Sequence, residues 1–216
     1  MDTSTAQFQK IIFKLTVDAD GYPPVEYESM WGVQRGADVY QLDNTPYYLY
    51  GVSKGDWVLT RADAHERIAT RVVRQSGHST LRVFAERESE RSGIVQHLRS
   101  LGARCTVTRG LSLFTVDIAP EVSFSAIDQY LASITDDQYV AYEDACLQHE
   151  AIEPARLSEC SSLASVECVT WAGSLGAVLA PELRDDPAIE QARSRCVYRS
   201  VDPATRLSRF GSFHSL

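Results

Sequence analysis

The residue types most suited to chemistry in this 216-residue chain lie close together, in Ser76-Gly77-His78-Ser79-Thr80. The imidazole of His78 can move protons near neutral pH, and three hydroxyl side chains surround it. This pattern predicts a catalytic His78 assisted by Ser76, provided that a distant carboxylate orients the imidazole. The same residues also suit a plain turn, in which Gly77 adopts a positive φ angle and the hydroxyls bind backbone groups. A third interpretation is a ligand-binding loop. We favour it over catalysis because polar turns on rigid strands often bind ligands.

A second polar segment, residues 43–48, contains a further set of candidate contacts. The amide of Asn44 is suited to binding a ligand, and the rings of Tyr47 and Tyr48 could form the wall of the site. The alternative is an Asx-type turn with both tyrosines packed on a sheet. The sequence therefore predicts the following ligand-binding residues: Asn44, Tyr47, Tyr48, His78, Ser79 and Arg109. We expect Asp56, which lies in another turn, to accept hydrogen bonds from backbone amides there.

Signatures of cofactor binding are missing from the sequence. The five histidines and five cysteines show no paired ligand spacing, which argues against a metal site. Neither a Walker A loop, a GxGxxG loop nor a GxSxG elbow is found. We therefore expect no metal and no cofactor, and the sequence favours a protein that is not an enzyme.

Charge and hydropathy limit the classes of binding partner and the cellular location that the sequence predicts. The net charge of -8 disfavours binding to nucleic acid and suits a small-molecule ligand or a basic protein partner. The sequence begins without the basic start and apolar core of a signal peptide, and no apolar run is long enough to span a membrane. The odd number of cysteines, with no CxxC pair, indicates reduced thiols. These features predict a cytoplasmic protein that does not bind membranes, and they leave its oligomeric state open.

Residues 8–78 are predicted to form a β-rich half. Several short runs of β-branched and aromatic residues alternate with Gly, Pro and Asp turns, and no helical pattern interrupts them. Short strands at this spacing predict a small barrel or a strongly curled antiparallel sheet. Trp31 and Trp57 lie on such strands, so we expect both indoles to pack in the core.

Residues 79–150 are predicted to form an α+β half of ferredoxin-like β-α-β-β-α-β order. One helix is expected over residues 91–101 with Gly102 just past its end, and a second begins after Ser123 or Ser125. The last strand is expected over residues 139–142, with residues 143–149 turning helical. His78 lies where the two predicted halves join.

The remaining residues form a third region. Residues 151–190 are predicted to be a helical extension, because residues 163–180 are nearly apolar and fit a buried helical stripe. Residues 191–216 carry five Arg and one Asp, which indicates a basic, flexible tail.

Three blocks of the sequence, YESMWGV, YQLDNTPYYLYGVSKGDWV and SGHSTLRVF, resemble a bacterial family with a domain of unknown function (DUF4265). The resemblance covers residues 10–148, approximately, and implies a bacterial protein with a compact two-part domain. It brings no established activity and no catalytic residues. We therefore expect a non-enzymatic binding or regulatory module that recognises a protein partner, such as a basic toxin to be neutralised, or a small ligand at the junction of the halves. The alternative is a small enzyme or accessory protein of a biosynthetic or modification pathway, with its site at His78.

Overall fold

The computed structural model describes residues 8–17, 21–136, 139–162 and 167–168. Its fold is α+β, with an antiparallel, ring-like sheet first and a ferredoxin-like unit second, so the predicted fold class is confirmed. We call the two sheets the ring sheet and the ferredoxin-like sheet.

The ring sheet contains β1 (Phe8–Lys14), β2 (Tyr27–Gln34), β3 (Val39–Leu42), β4 (Trp57–Asp63) and β5 (Glu66–Arg74). Consecutive strands pair antiparallel, and β1 also pairs with β5 in parallel through Ile11–Arg67 and Ile12–Ile68. This last pairing closes the ring, because the backbone groups at the edge of β1 bind those of β5 instead of remaining unpaired.

The inside of the ring is apolar and tightly packed. Ile11, Phe13, Met30 and Leu42 belong to its core. Because side chains alternate along a strand, the burial of Met30 turns its neighbour Trp31 outward, where 55% of the indole is exposed. The prediction that Trp31 packs in the core is therefore wrong.

The ferredoxin-like sheet is formed by β6 (Ser79–Ala85), β7 (Arg104–Val107), β8 (Leu113–Ile118) and β9 (Val140–Cys146), with α1 (Glu88–Ser100) and α2 (Phe124–Ile134) between them. The strand order is β7-β8-β6-β9, and all pairs are antiparallel. The helices pack on one face, and the core between the helices and the sheet includes Leu81, Val83, Leu98, Val116, Ile127 and Leu131.

Local sequence signals explain the helix ends. Gly102 follows α1 with a φ angle of +97°, which glycine adopts without a steric penalty. Ser123 caps α2, since its Oγ accepts a hydrogen bond from the Ala126 amide at 3.3 Å. The predicted helical turn over residues 143–149 is wrong, because β9 continues to Cys146 and its side chains Glu143 and Asp144 bind Arg82 and Arg156.

Two short elements follow the sheets. The helix α3 (Pro154–Ser162) lies against the ferredoxin-like sheet, where Arg156 binds both Asp128 and Asp144. The strand β10 (Glu167–Cys168) pairs with β5 in parallel. These are the only two described residues of the apolar segment 163–180, and the predicted tail 191–216 lies outside the described residues. Among the described residues, no helix is long and apolar enough to cross a membrane.

The face of the ferredoxin-like sheet away from α1 and α2 meets residues 43–56, which connect β3 to β4. Polar side chains on this face are buried, including Thr80, Arg82, Thr115 and Asp117. The Ser53 and Thr80 hydroxyls lie 2.8 Å apart, and Arg82 donates to the Leu49 carbonyl. The two halves therefore join through hydrogen bonds rather than through an apolar interface.

Candidate functional site

His78 lies in a cleft between the two sheets, with a volume of about 280 Å³. The ring half contributes the ends of β2 and β3 and the turn before β4, and the ferredoxin-like half contributes the start of β7 and the residues after β8. The lining consists of Val33, Arg35, Gln41, Leu42, Asp43, Lys54, Gly55, His78, Arg104, Ala119 and Glu121. The volume is just below the roughly 300–1,000 Å³ that is typical of small-molecule sites.

A buried carboxylate orients the imidazole of His78. Its Nδ1 lies 2.6 Å from Oδ1 of Asp117, whose side chain is 1% exposed. The pairing of Thr80 with Asp117 across β6 and β8 explains the contact, since it places the carboxylate beside the residues that lead into β6. An ionised carboxylate accepts the Nδ1 hydrogen, which leaves Nε2 of a neutral imidazole as a hydrogen-bond acceptor. Nε2 has no hydrogen-bond partner among the described residues.

Asp117 has a second oxygen, Oδ2, that is buried and has no hydrogen-bond partner in the described part of the chain. The hydroxyl of Thr115 and Nε of Arg82 are also buried, and they also have no hydrogen-bond partner among the described residues. All three lie on the polar face of the ferredoxin-like sheet, where Arg82 and Thr115 are directly paired. Buried polar atoms without a partner are uncommon in proteins and often occur at functional sites.

A second buried carboxylate, that of Asp56, fixes the turn that carries His78. It accepts hydrogen bonds from the backbone amides of Ser53 and Ser76, each at 2.8 Å, and from the side-chain amide of Gln148. Gln148 in turn accepts a hydrogen bond from the Gly77 amide. Burial raises the pKa of Asp56 to about 6, although these hydrogen bonds lower it. The turn is thus held by contacts from both halves.

The charged side chains of the cleft are not neutralised by each other. Arg35 donates from Nε and Nη2 to Oε1 of Gln41, at 2.9 and 2.7 Å, so its partner is an uncharged amide. Within the described ranges, Lys54 and Arg104 form no ion pair, and neither do the carboxylates of Asp43 and Glu121. The cleft therefore presents both signs of charge to anything that enters it.

The predicted serines lie beside the cleft rather than in its lining. Ser76 donates from Oγ to the Lys54 carbonyl at 2.7 Å. Ser79 is fully buried, and its Oγ lies 2.7 Å from Nδ1 of His149. The cleft lining formed by described residues contains no Ser, Thr or Cys.

The other predicted contacts lie elsewhere. Asn44 accepts a hydrogen bond from the Trp31 amide, and its neighbour Asp43 lines the cleft in its place. The Tyr47 hydroxyl lies 2.7 Å from that of Thr108, on the connection after β7. The amide of Tyr48, with those of Tyr47 and Leu49, donates to the Glu28 carboxylate. Arg109 is exposed in the turn between β7 and β8. Of the predicted site residues, only His78 lines the cleft.

Several residues of the site were not predicted from the sequence. Asp117 is the most informative of them, and it had a recognisable signal, because it is the single charged residue of the largely apolar strand LFTVDI. Arg82 has the same signal within STLRVFA. No such sequence signal marks Arg35, Lys54 and Arg104, since isolated basic residues next to turns usually lie in solvent. Within the described ranges, no three His, Cys, Asp or Glu side chains are placed to hold a metal ion.

Comparisons with known proteins identify a family and a fold. One solved structure, described as "Novel crystal structure of a hypothetical protein from Neisseria gonorrhoeae", covers 68% of this chain and 99% of its own, with a TM-score of 0.52. At 12% sequence identity this likeness shows the fold alone. No curated protein matches the sequence. The model of the family described as "Domain of unknown function (DUF4265)" matches residues 28–142, which is more than half of the chain, and the chain therefore belongs to that family.

Proposed function

We propose that this chain is a binding module whose site is the cleft between the ring sheet and the ferredoxin-like sheet. The observation that carries the proposal is His78, which lies in the cleft with its imidazole oriented by the buried carboxylate of Asp117. A cleft of about 280 Å³ suits a small metabolite or one side chain of a protein partner. We propose the small ligand as the primary occupant.

Preorganisation supports this proposal. The His78 turn is fixed by Asp56 and Gln148 before any ligand arrives, so little conformational entropy would be lost on binding. The cleft is lined by elements of both halves, and the junction of two structural units is a common location of ligand sites. A fixed, concave and polar surface of this kind favours specific recognition over a purely structural turn.

The experiment is a ligand screen followed by NMR on the full chain, with the His78 ring resonances as the reporter. We expect ligands that bind to shift the signals of His78 and of the Lys54 and Gly55 amides. His78→Ala should weaken that binding by about tenfold, which corresponds to the loss of one good polar contact. His65→Ala is the matched control, because His65 is exposed in the turn between β4 and β5. Ligands that shift only residues remote from the cleft would refute the proposal.

A second candidate, an enzyme that uses His78 as a general base, has one observation in its favour. The hydrogen bond of 2.6 Å from Nδ1 to Asp117 leaves Nε2 of this cleft residue as an acceptor, an arrangement suited to removing a proton from a substrate or from water. Substrate turnover by the wild type that falls by 100-fold or more in both His78→Gln and Asp117→Asn would support it. Binding of the same ligand without turnover would favour the binding module.

A further inference from the structure

We propose that the ligand of the junction cleft carries an anionic oxygen group, a carboxylate or a phosphate, bound by Arg35, Lys54 and Arg104. This inference rests on the proposed function, because it names the chemistry of the molecule that the cleft would bind. It concerns three residues that no sequence motif and no comparison assigns to a site.

The cleft contains three cationic side chains in a molecule that is acidic as a whole. The whole chain has a net charge of -8, whereas the lining of the cleft has three cationic side chains and two carboxylates, and His78 lies beside them. A charged side chain in a concave surface interacts more strongly with an entering ion than one in open solvent, because less water lies between them. An anionic group that enters the cleft therefore meets three cationic side chains, whereas the acidic remainder of the molecule repels anions.

Arg35 is oriented without losing its charge. Its Nε and Nη2 both donate to the Gln41 side-chain oxygen, which is a neutral acceptor. Nη1 and the second hydrogen of Nη2 are left to donate to an incoming group, because a guanidinium has five N–H donors in a rigid fork. Charge-assisted hydrogen bonds of this kind are shorter and roughly twice as strong as neutral ones.

The remaining polar groups of the cleft indicate what else the ligand carries. Asp43 and Glu121 reduce the positive potential, and they accept hydrogen bonds, as does Nε2 of a neutral His78. A ligand with an anionic group at one end and a hydroxyl or amino donor near it would bind both the cationic side chains and these hydrogen-bond acceptors. Fatty acids and other long apolar anions would not, because Val33 and Leu42 are the only large apolar residues that the described part of the chain contributes to the lining.

The test measures binding of four small probes to the full-length wild-type chain by calorimetry. Succinate and inorganic phosphate represent the two anionic groups, and dimethyl succinate and 1,4-diaminobutane are the matched neutral and cationic molecules. We expect at least one anion to bind at least tenfold more tightly than both controls, and its affinity to fall as salt is raised. The anion that binds more tightly distinguishes a carboxylate site from a phosphate site.

Two arginine variants place the bound anion. Arg104→Gln, in the cleft lining, should weaken anion binding by about tenfold. Arg109→Gln removes the same charge from an exposed turn outside the lining and should leave the affinity unchanged within about twofold. An equal effect of both variants would reveal a diffuse charge effect and would overturn the assignment to the cleft.

Failure of this inference and failure of the proposed function give different results. If neutral or cationic ligands bind at His78 and anions do not, the inference is wrong and the binding module stands. If anions bind but shift only residues outside the cleft, both are wrong. If no anion binds at millimolar concentration, the inference is wrong and the ligand screen decides the proposed function.

Discussion

At the scale of single residues, the contact between His78 and Asp117 makes a specific prediction about the imidazole. The carboxylate accepts the Nδ1 hydrogen in the wild type, whereas the amide of Asp117→Asn can donate to Nδ1 and move the hydrogen to Nε2. We therefore expect neutral His78 to carry its hydrogen on Nδ1 in the wild type and on Nε2 in Asp117→Asn. The ¹⁵N NMR spectrum of the imidazole distinguishes the two tautomers. His97, which stacks on Tyr130 in the helical layer, should keep its spectrum. A wild-type imidazole with its hydrogen on Nε2 would contradict the assignment.

The buried carboxylate of Asp56 predicts a pH dependence of stability. Its pKa is raised from 3.8 to about 6 in the folded state, so the folded protein holds this proton more tightly than the unfolded chain. The stability contributed by protonation is fully present below pH 3.8 and is lost as the pH rises through about 6. At about 1.36 kcal/mol per pKa unit, the loss is on the order of 3 kcal/mol.

Urea unfolding at several pH values measures this loss. As the pH rises from 4 to about 6, the unfolding free energy of the wild type should fall relative to that of Asp56→Asn, because the amide of the variant does not titrate. Parallel stability curves for the two proteins over this range would show that Asp56 does not titrate with the predicted midpoint.

The residue types of the site were partly predictable, and their partners were not. His78 stood out because a Gly and hydroxyl residues surround it, which local sequence shows directly. Asp117 is 39 positions away from it, and only the pairing of β6 with β8 brings the two side chains together. Trp31 was predicted to pack in the core because size and apolarity alone favour burial, but Met30 fills the ring instead.

At the scale of elements, the N-terminus of α2 offers a simple test of local structure. Ser123 accepts a hydrogen bond from the Ala126 amide, which would otherwise lack a partner in the first turn of the helix. Ser123→Ala should lower the unfolding free energy by about 1 kcal/mol in chemical denaturation. Ser133→Ala, at an exposed position in the last turn of the same helix, should change it by less than about 0.5 kcal/mol. Equal effects would mean that the cap does not stabilise α2.

Elements with strong periodicity were predicted well, and those shaped by tertiary contacts were not. The helix α1 and its terminal Gly102 follow from the spacing of Ile94, Val95 and Leu98 and from the conformational freedom of glycine. The end of β9 was predicted as helix, because Glu, Ala, Leu and Gln of residues 143–149 favour helices locally. Pairing with β6 and the ion pair of Glu143 with Arg82 outweigh that preference.

At the scale of the whole molecule, Arg82 joins the two halves. It is fully buried, binds Glu143 at 2.7 Å, donates to the Leu49 carbonyl and lies 4.0 Å from the centre of the Tyr50 ring. Arg82→Met would leave the Glu143 carboxylate, which is 18% exposed, without this partner. We expect the unfolding free energy to fall by about 3–5 kcal/mol, because the removal of one member of a buried pair leaves an uncompensated charge.

The control for this prediction is another arginine with an ion pair. Arg87 binds Glu90 at 2.9 Å, but both side chains are substantially exposed, so Arg87→Met should cost less than about 1 kcal/mol. Thermal and urea unfolding of both variants measure the difference. If Arg82→Met were as stable as Arg87→Met, the buried contacts of Arg82 would not stabilise the fold.

The pairing of the first strand with the fifth has a consequence for how a newly made chain folds. During synthesis β1 can pair with β2 early, but its other edge has no partner until β5 has left the ribosome. The Asp56 carboxylate receives the hydrogen bonds of Gln148 only after that residue has been made. Contacts between such distant positions slow folding, and unpaired strands of an incomplete chain are prone to aggregate. We therefore expect a nascent chain stalled before β5 to bind chaperones, and one that extends past Gln148 to be released from them.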